Sequence, residues 1–276
     1  MSSRPRCDTL KSLSNMGCKH AMFTLERVMT AAGVEALTAE RRALRIKRAT
    51  AFARRHFGPR VAHLSDAELA HYVTRHFDGM AHGDLTAEQD QLSALAPAIY
   101  WGSTWWQDQM PTSILAQGGH WDAPLTSRAQ LSRCLAALDV WRAAMLSDLA
   151  DRNRVATILQ DLYTAPRAVA ARGRDPQVWC AEFAPQVWSL LDNNARYYHT
   201  VAGTEVASRY LPSFQDGIMF ACIGLVLGVG FAENPLYPQF QRALAGHENR
   251  PADEIRIGLG TALVDYWKQI DGDLEQ

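Results

Sequence analysis

The chain contains an internal repeat, and this repeat constrains the fold more than any other feature of the sequence. At an offset of 126 residues, residues 57–102 align without gaps to residues 183–228, and twelve of the 46 pairs are identical. Chance pairing gives roughly three identities over such a length. The same offset returns downstream, where Trp141 pairs with Trp267. Because the period is far longer than that of a solenoid, each copy is large enough to hold its own core.

Apolar residues recur at helical spacing along most of the chain, and no segment shows sustained alternation with a period of two. Ser65 and Glu68 fit the pattern of a capping box, and Ser127 precedes a long run of helical apolar spacing. Thr38 is the expected start of an amphipathic helix. The sequence therefore predicts an all-α fold, with two diverged copies of a multi-helix unit of about 126 residues packed together.

The repeat also predicts the domain organisation. We expect an N-terminal arm at residues 1–36, a first helical repeat at residues 37–150 and a second at residues 151–276. The copies differ most where residues 100–106 read Tyr-Trp-Gly-Ser-Thr-Trp-Trp and residues 226–232 read Val-Leu-Gly-Val-Gly-Phe-Ala. This difference suggests that the first segment faces a partner and that the second is sealed in the core.

Several features bear on where the protein works. The five cysteines are scattered and form no CxxC pair, and the first residues contain no continuous apolar stretch of the kind found in secretory signals. The longest uncharged apolar run, residues 218–231, is about 21 Å long as a helix, which is shorter than the hydrocarbon core of a bilayer. We expect a cytoplasmic protein with no membrane insertion, in which this run forms a buried helix.

Charge is distributed unevenly along the chain. Residues 1–60 contain 13 basic and four acidic residues, whereas the remainder contains 15 basic and 25 acidic residues, for a formal net charge of −1. The balance excludes a uniformly basic nucleic-acid-binding chain. For the basic helix itself, two interpretations stay open: a solvated face balanced by the acidic remainder, or a landing site for an acidic protein or, less readily, nucleic acid.

The sequence offers no signature of an enzyme. No HExxH, GxSxG, GxxxxGK or complete GxGxxG pattern is present. Five histidines fall within 27 residues, but their spacing is not that of helical metal ligands. The repeated pair Asp90 and Asp216 suggests a shared structural role, such as capping a helix, rather than acid–base chemistry. We therefore expect no catalytic residue, no cofactor and no metal ion.

The candidate partner-binding residues come from two segments. Tryptophan and arginine are the residue types that most often anchor protein interfaces, and arginine also packs on aromatic rings. The candidates in the basic helix and in the aromatic segment are Arg41, Arg42, Arg45, Arg48, Trp101, Trp105, Trp106 and Asp108.

One stretch of the second copy resembles a known group of proteins. In the pattern, a helix that begins near an acidic residue ends in Leu-Gly-x-x-Phe, which is followed by an acidic or Asn residue, Pro and an aromatic residue. In this chain the stretch reads Leu227-Gly228-Val229-Gly230-Phe231-Ala232-Glu233-Asn234-Pro235-Leu236-Tyr237-Pro238. This pattern is similar to that of small helical proteins encoded beside type VI secretion effectors. The first copy departs from the pattern, with Trp105 for the Phe and Gln109 for the Pro.

The resemblance implies a non-catalytic accessory protein of an interbacterial toxin system. Such a protein binds its cognate effector or a component of the secretion spike. It acts either as an adaptor or chaperone that holds the effector for loading, or as an immunity protein that blocks a toxin in the cytoplasm. Two other classes stay open on the residues alone. One is a helical protein or enzyme that binds a small molecule, and the other is a nucleic-acid binder that uses residues 41–55.

Overall fold

A computed structural model describes much of the chain from residue 31 onward. The described residues are 31–79, 85, 87–102, 105, 108–116, 127–164, 173, 175–211 and 213–274. None of these residues lies in a β-strand, and nearly all of the regular structure is α-helix. The predicted all-α fold is therefore confirmed for the part of the chain that the structure describes.

Contacts along the chain divide it into two units, residues 1–49 and residues 50–276. The described part of the first unit is helical and belongs to helix α1, Ala31–His56, which continues into the second unit. The sequence predicted a start at Thr38, and the structure corrects this by seven residues. Residues 31–37 are mostly alanine and other good helix formers, so the helix extends upstream of the expected cap.

The described part of the second unit is built from short and long helices. The helices from the first predicted copy are α2 Gly58–Val61, α3 Asp66–Gly79, α4 Glu88–Ser93, α5 Leu95–Trp101, α6 Gln109–Ala116 and α7 Arg128–Ala150. The helices from the second are α8 Arg152–Thr164, α9 Pro176–Phe183, α10 Pro185–Ser189, α11 Asn193–Ala207, α12 Phe214–Leu227, α13 Pro238–Leu244 and α14 Ala252–Leu274, with two 3-10 turns at Val229–Glu233 and His247–Asn249.

Helices α3, α5, α6 and α7 have counterparts in α11, α12, α13 and α14, at close to the predicted offset. A duplication would give this agreement, and the duplication itself stays a prediction. One difference between the two predicted copies has a local cause. The single helix α12 corresponds to two helices, α4 and α5, which are separated at Ala94, because Pro97 lacks an N–H and its ring crowds the carbonyl four residues earlier.

Two helix starts follow the capping patterns of the sequence. At Ser65, the backbone N–H donates to Glu68 Oε2 over 2.7 Å, and the Glu68 N–H donates to Ser65 Oγ over 3.2 Å. Ser127 forms the equivalent reciprocal pair with Gln130 at the start of α7. Both predicted caps are confirmed.

Helix α12 forms the centre of the core. Every residue from Asp216 to Leu227 is buried, which confirms that this part of the apolar run is a buried helix. Helix α11 packs closely against it because Gly203 has no side chain: a Cβ at Gly203 would lie 2.7 Å from Ala221 Cα. This approach brings His199 of α11 to the backbone of α12, where His199 Nε2 lies 2.9 Å from the Ala221 carbonyl oxygen.

The two predicted copies meet where α5 and α12 end. Each helix ends in a glycine with positive φ, Gly102 at φ 100° and ψ 158° and Gly228 at φ 82° and ψ 149°. This region of backbone conformation is accessible almost only to glycine. A Cβ at Gly228 would lie 2.8 Å from the carbonyl oxygen of Trp101, so the two turns pass within direct contact of each other. We call this contact the glycine junction.

Equivalent side chains stabilise the two turns after the glycines. Asp108 and Asn234 occupy equivalent positions at the offset of 126, and each accepts a hydrogen bond from the backbone N–H two residues later, Met110 over 2.9 Å and Leu236 over 3.0 Å. The other carboxylate oxygen of Asp108 accepts a hydrogen bond of 3.1 Å from Val229 N–H, across the glycine junction. Asp108 therefore connects the turn of the first copy to that of the second.

The repeated aspartates, Asp90 and Asp216, share a role that sequence reasoning missed. Each pairs with an arginine in the first turns of the long helix that closes its copy. Asp216 is buried and binds Arg256 through two hydrogen bonds of 2.7 and 3.1 Å, while also completing a capping box with Ser213. Asp90 Oδ1 lies 3.6 Å from Arg128 Nε, and the Arg128 side chain is exposed. The buried pair is the stronger of the two.

The glycine junction generates the first prediction. Gly228→Ala places a Cβ against the backbone of Trp101 and forces alanine into a glycine-only conformation, so we expect it to destabilise the fold by about 3 kcal/mol. Gly102→Ala carries the conformational cost alone, about 1–2 kcal/mol. Urea unfolding followed by circular dichroism measures both. Gly58→Ala is the control, since nothing lies within 4 Å of its Cβ position. Equal losses at all three glycines would contradict this description of the junction.

The two aspartate pairs give a second prediction. Asp216→Asn removes the buried carboxylate that binds Arg256 and leaves this arginine with only the exposed Asp253, so we expect a loss of about 2 kcal/mol in the free energy of unfolding. Asp90→Asn breaks a pair whose arginine is solvated, so its cost is below about 1 kcal/mol. Chemical denaturation of the two variants compares them directly, and a larger loss for Asp90→Asn would show that the ranking is wrong.

Candidate functional site

A cleft of about 560 Å³ lies at the glycine junction in the second unit. This volume is in the range of pockets that hold small molecules or short peptide segments. Its walls come from both predicted copies. The lining residues are Arg75, Trp101, Gly102, Trp105, Asp108, Tyr198, His199, Ala202, Glu205, Val206, Arg209, Val229, Gly230, Glu233, Asn234 and Pro235.

Trp101 and Trp105 lie on the interior side of the cleft. Their side chains are 3% and 1% exposed, and their rings are 5.7 Å apart with an interplanar angle of 52°. Neither is therefore the exposed hot spot that the sequence predicts, because the turn at Gly102 directs the chain back into the protein. Both instead line the cleft. Among the described residues, the indole N–H of Trp101 has no hydrogen-bond acceptor.

Asp108 brings a negative charge to the same wall. It is half-buried, and both of its carboxylate oxygens accept hydrogen bonds from backbone N–H groups. No basic side chain of the described residues forms an ion pair with it. Asn234 makes the same turn contact in the second copy with a neutral amide. Asp108 thus uses one oxygen within its turn and the other across the glycine junction, whereas Asn234 makes only the contact within its own turn.

His199 lines the same cleft as Asp108 and is buried. Its Nε2–H donates to the Ala221 carbonyl oxygen, which leaves Nδ1 as the acceptor of a neutral ring. Burial lowers the pKa of His199, against the opposing effects of the Asp108 carboxylate and of the hydrogen bond to Ala221. Nδ1 has no hydrogen-bond partner within the described structure. A neutral histidine is therefore buried in the wall of the cleft.

Charged and aromatic side chains form the rim. Arg209 Nη1 donates to Glu233 Oε1 over 2.7 Å in an exposed ion pair. Arg75 and Glu205 are exposed, and Tyr198 is 52% exposed. Tyr198 corresponds to Tyr72 in the first copy, which is buried and donates its hydroxyl to the Ala98 carbonyl over 2.5 Å. The tyrosine of the first predicted copy thus packs in the core, whereas the equivalent tyrosine of the second lines the cleft.

The other candidate residues from the sequence lie elsewhere. In the first unit, Arg41, Arg42 and Arg48 are exposed on α1 and Arg45 is half-buried. Trp106 lies outside the described residues. Of the eight candidates, the cleft contains Trp101, Trp105 and Asp108.

Sequence reasoning missed His199 and Tyr198. A histidine on a helical segment carries no signal of function, although the Tyr72/Tyr198 identity across the repeat did mark that position. The polar side chain of His199 faces a buried helix in the fold, and only the packing of α11 on α12 shows this.

The described residues contain no group of three or more His, Cys, Asp or Glu side chains placed to hold a metal ion. No described helix is long and apolar enough to cross a membrane.

Comparison with known proteins gave no relative: no family model, no curated protein and no solved structure matches the chain.

The buried histidine predicts a dependence of stability on pH. Because the folded-state pKa of His199 lies below its unfolded value of about 6.5, the unfolded chain takes up a proton that the folded chain does not. Stability is therefore lost as the pH falls below about 6.5, by up to about 1.4 kcal/mol per pH unit from this residue.

His199→Gln retains a donor for the Ala221 carbonyl but removes the titration. We expect urea unfolding between pH 7 and pH 5 to show a shallower decline for this variant than for the unaltered protein. If both proteins lost stability in parallel over this range, His199 would not be the titrating group.

Proposed function

We propose that this protein is a non-catalytic binding protein that holds a segment of a protein partner in the cleft at the glycine junction. The observation that carries the proposal is the position of the cleft relative to the stretch that resembles proteins of type VI secretion systems. Five residues of that stretch after Gly228 line the cleft: Val229, Gly230, Glu233, Asn234 and Pro235.

The character of the cleft supports a protein partner. Its interior is aromatic and its rim carries charges of both signs, which is the arrangement of an anchored protein interface with a polar periphery. The described lining residues include no nucleophile paired with a general base. His199, the one histidine of the lining, donates to a backbone carbonyl, and its neighbour Asp108 accepts from two backbone N–H groups. Both groups are held in place by the fold.

The resemblance supplies the setting. We propose a cytoplasmic accessory protein of an interbacterial toxin system, which binds a cognate effector or spike component as an adaptor or chaperone, or as an immunity protein. The two matched segments of the proposed duplication would together form the binding site, since Trp101, Trp105 and Asp108 come from one copy and Val229 to Pro235 from the other.

The test is recovery of a partner with a cleft-filling variant. Gly230 is exposed, lines the cleft and has nothing within 4 Å of its Cβ position, so Gly230→Trp occupies the cleft without displacing the backbone. We expect tagged protein from its native cells to retain one stoichiometric protein partner after washing at moderate salt. Gly230→Trp is expected to reduce recovery of that partner at least about tenfold.

Gly58→Trp is the matched control, because Gly58 also has open space at its Cβ position but lies outside the cleft lining. Both variants should unfold near the denaturant midpoint of the original protein. Equal recovery of the partner with Gly230→Trp and with Gly58→Trp would contradict the cleft as the binding site. Co-expression with the recovered partner then distinguishes the two roles, because an immunity protein rescues growth from a toxic partner and a chaperone increases the amount of soluble partner.

A further inference from the structure

A second group of polar side chains lies outside the cleft, around the ring of Tyr100. The Cζ atom of Arg60, on α2, lies 4.2 Å from the centre of this ring, and that of Arg142, on α7, lies 4.8 Å from it. Two guanidinium groups are therefore held against a single aromatic ring, and their like charges repel each other. We call these three residues the Tyr100 site.

Arg60 has no anionic partner among the described residues. Its Nη1–H donates over 2.8 Å to the hydroxyl of Tyr266, which is neutral, and the titratable groups whose charge acts on it are three tyrosines, Tyr266, Tyr237 and Tyr100. Arg60 is half-buried, and a guanidinium without a counterion is costly to keep in such a position. Its other terminal nitrogen, Nη2, is neither bonded to the described residues nor fully buried, so it is the nitrogen left for a ligand.

Arg142 has only a weak anionic partner. Its Nη1 lies 3.7 Å from Asp139 Oδ1, which is too far for a hydrogen bond, and the Asp139 side chain is 77% exposed. The Arg142 side chain is itself 42% exposed. Solvated ion pairs of this kind contribute little free energy, so a ligand can replace the contact with Asp139 at little cost. The two guanidinium groups of the site therefore have unused N–H donors and an excess of positive charge.

The chemistry of these groups specifies an anionic ligand. A guanidinium donates parallel N–H groups to the oxygens of a carboxylate or a phosphate. Two guanidinium groups match a phosphate group better, because its charge at neutral pH is about −1.5 to −2 and it has three acceptor oxygens. We propose that Arg60 and Arg142 bind the phosphate group of a small molecule, either free phosphate or a phosphate monoester, while the Tyr100 ring holds the two side chains in position.

The site belongs to the first predicted copy alone. At the offset of 126 residues, Gln186 occupies the position of Arg60, and the buried Val226 occupies that of Tyr100. Neither residue supplies a guanidinium or an aromatic ring, so the repeat predicts no equivalent site in the second copy. None of the three residues of the Tyr100 site lines the cleft, and the inference is therefore independent of the proposed function.

The test is a titration of the full chain with inorganic phosphate and with methyl phosphate, at neutral pH and constant ionic strength. Binding is followed through the side-chain Nε–H resonances of Arg60 and Arg142, which are assigned with Arg60→Lys and Arg142→Gln. We expect at least one of the two phosphates to shift both resonances, and the tighter one identifies the free ion or the ester as the ligand. Acetate, which has one charge and two oxygens, is expected to bind at least about tenfold more weakly. Acetate binding as tightly as the better phosphate would overturn the assignment to a phosphate group.

Arg142→Gln removes one guanidinium at a partly exposed position, and we expect it to weaken phosphate binding at least about tenfold. Arg128→Gln is the matched control, because Arg128 is also exposed and its Nε lies 3.6 Å from Asp90 Oδ1 in a similarly loose ion pair. Both variants should unfold near the urea midpoint of the original protein. Absence of a shift in both arginine resonances, or equal phosphate binding by Arg142→Gln and Arg128→Gln, would overturn the inference.

Discussion

The contact between the turns at Gly102 and Gly228 is the constraint on which the rest of this structure depends. Both turns need a backbone conformation reserved for glycine, and at Gly228 the neighbouring carbonyl of Trp101 leaves no room for a Cβ atom. Two helices from different parts of the chain can therefore end against each other. Asp108 then crosses the contact to bind the backbone of Val229.

The junction also explains why the cleft is chemically asymmetric although the turns are alike. The first copy contributes two tryptophans and a carboxylate, whereas the equivalent positions of the second copy are Leu227, Phe231 and Asn234. The second copy contributes the buried histidine, which the close packing at Gly203 holds against α12. The differences between the two predicted copies thus give the cleft a carboxylate from one segment and a buried histidine from the other.

Much of the fold could be predicted from the sequence, because helical periodicity and caps such as Ser65 and Ser127 are local signals. The break at Ala94 also follows from a local cause, the proline at position 97. The burial of Trp101 and Trp105 could not be predicted, since it depends on where the chain goes after Gly102. The positions of His199 and Tyr198 in the cleft depend on contacts between residues that are distant in the sequence, so no local sequence pattern could predict them. The repeat was the one long-range signal, and it marked Gly102, Gly228 and Tyr198 without showing that they meet.

The central claim, that a protein partner occupies the cleft, is tested most directly by photo-crosslinking in the native cell. Tyr197 and Tyr198 are adjacent and similarly exposed, but only Tyr198 lines the cleft. Each is replaced in turn by the photoreactive p-benzoylphenylalanine, which preserves an aromatic ring at that position. Our account predicts that one protein is crosslinked strongly from position 198 and at most weakly from position 197. Equal crosslinking from both positions, or a crosslink from position 197 alone, would contradict it.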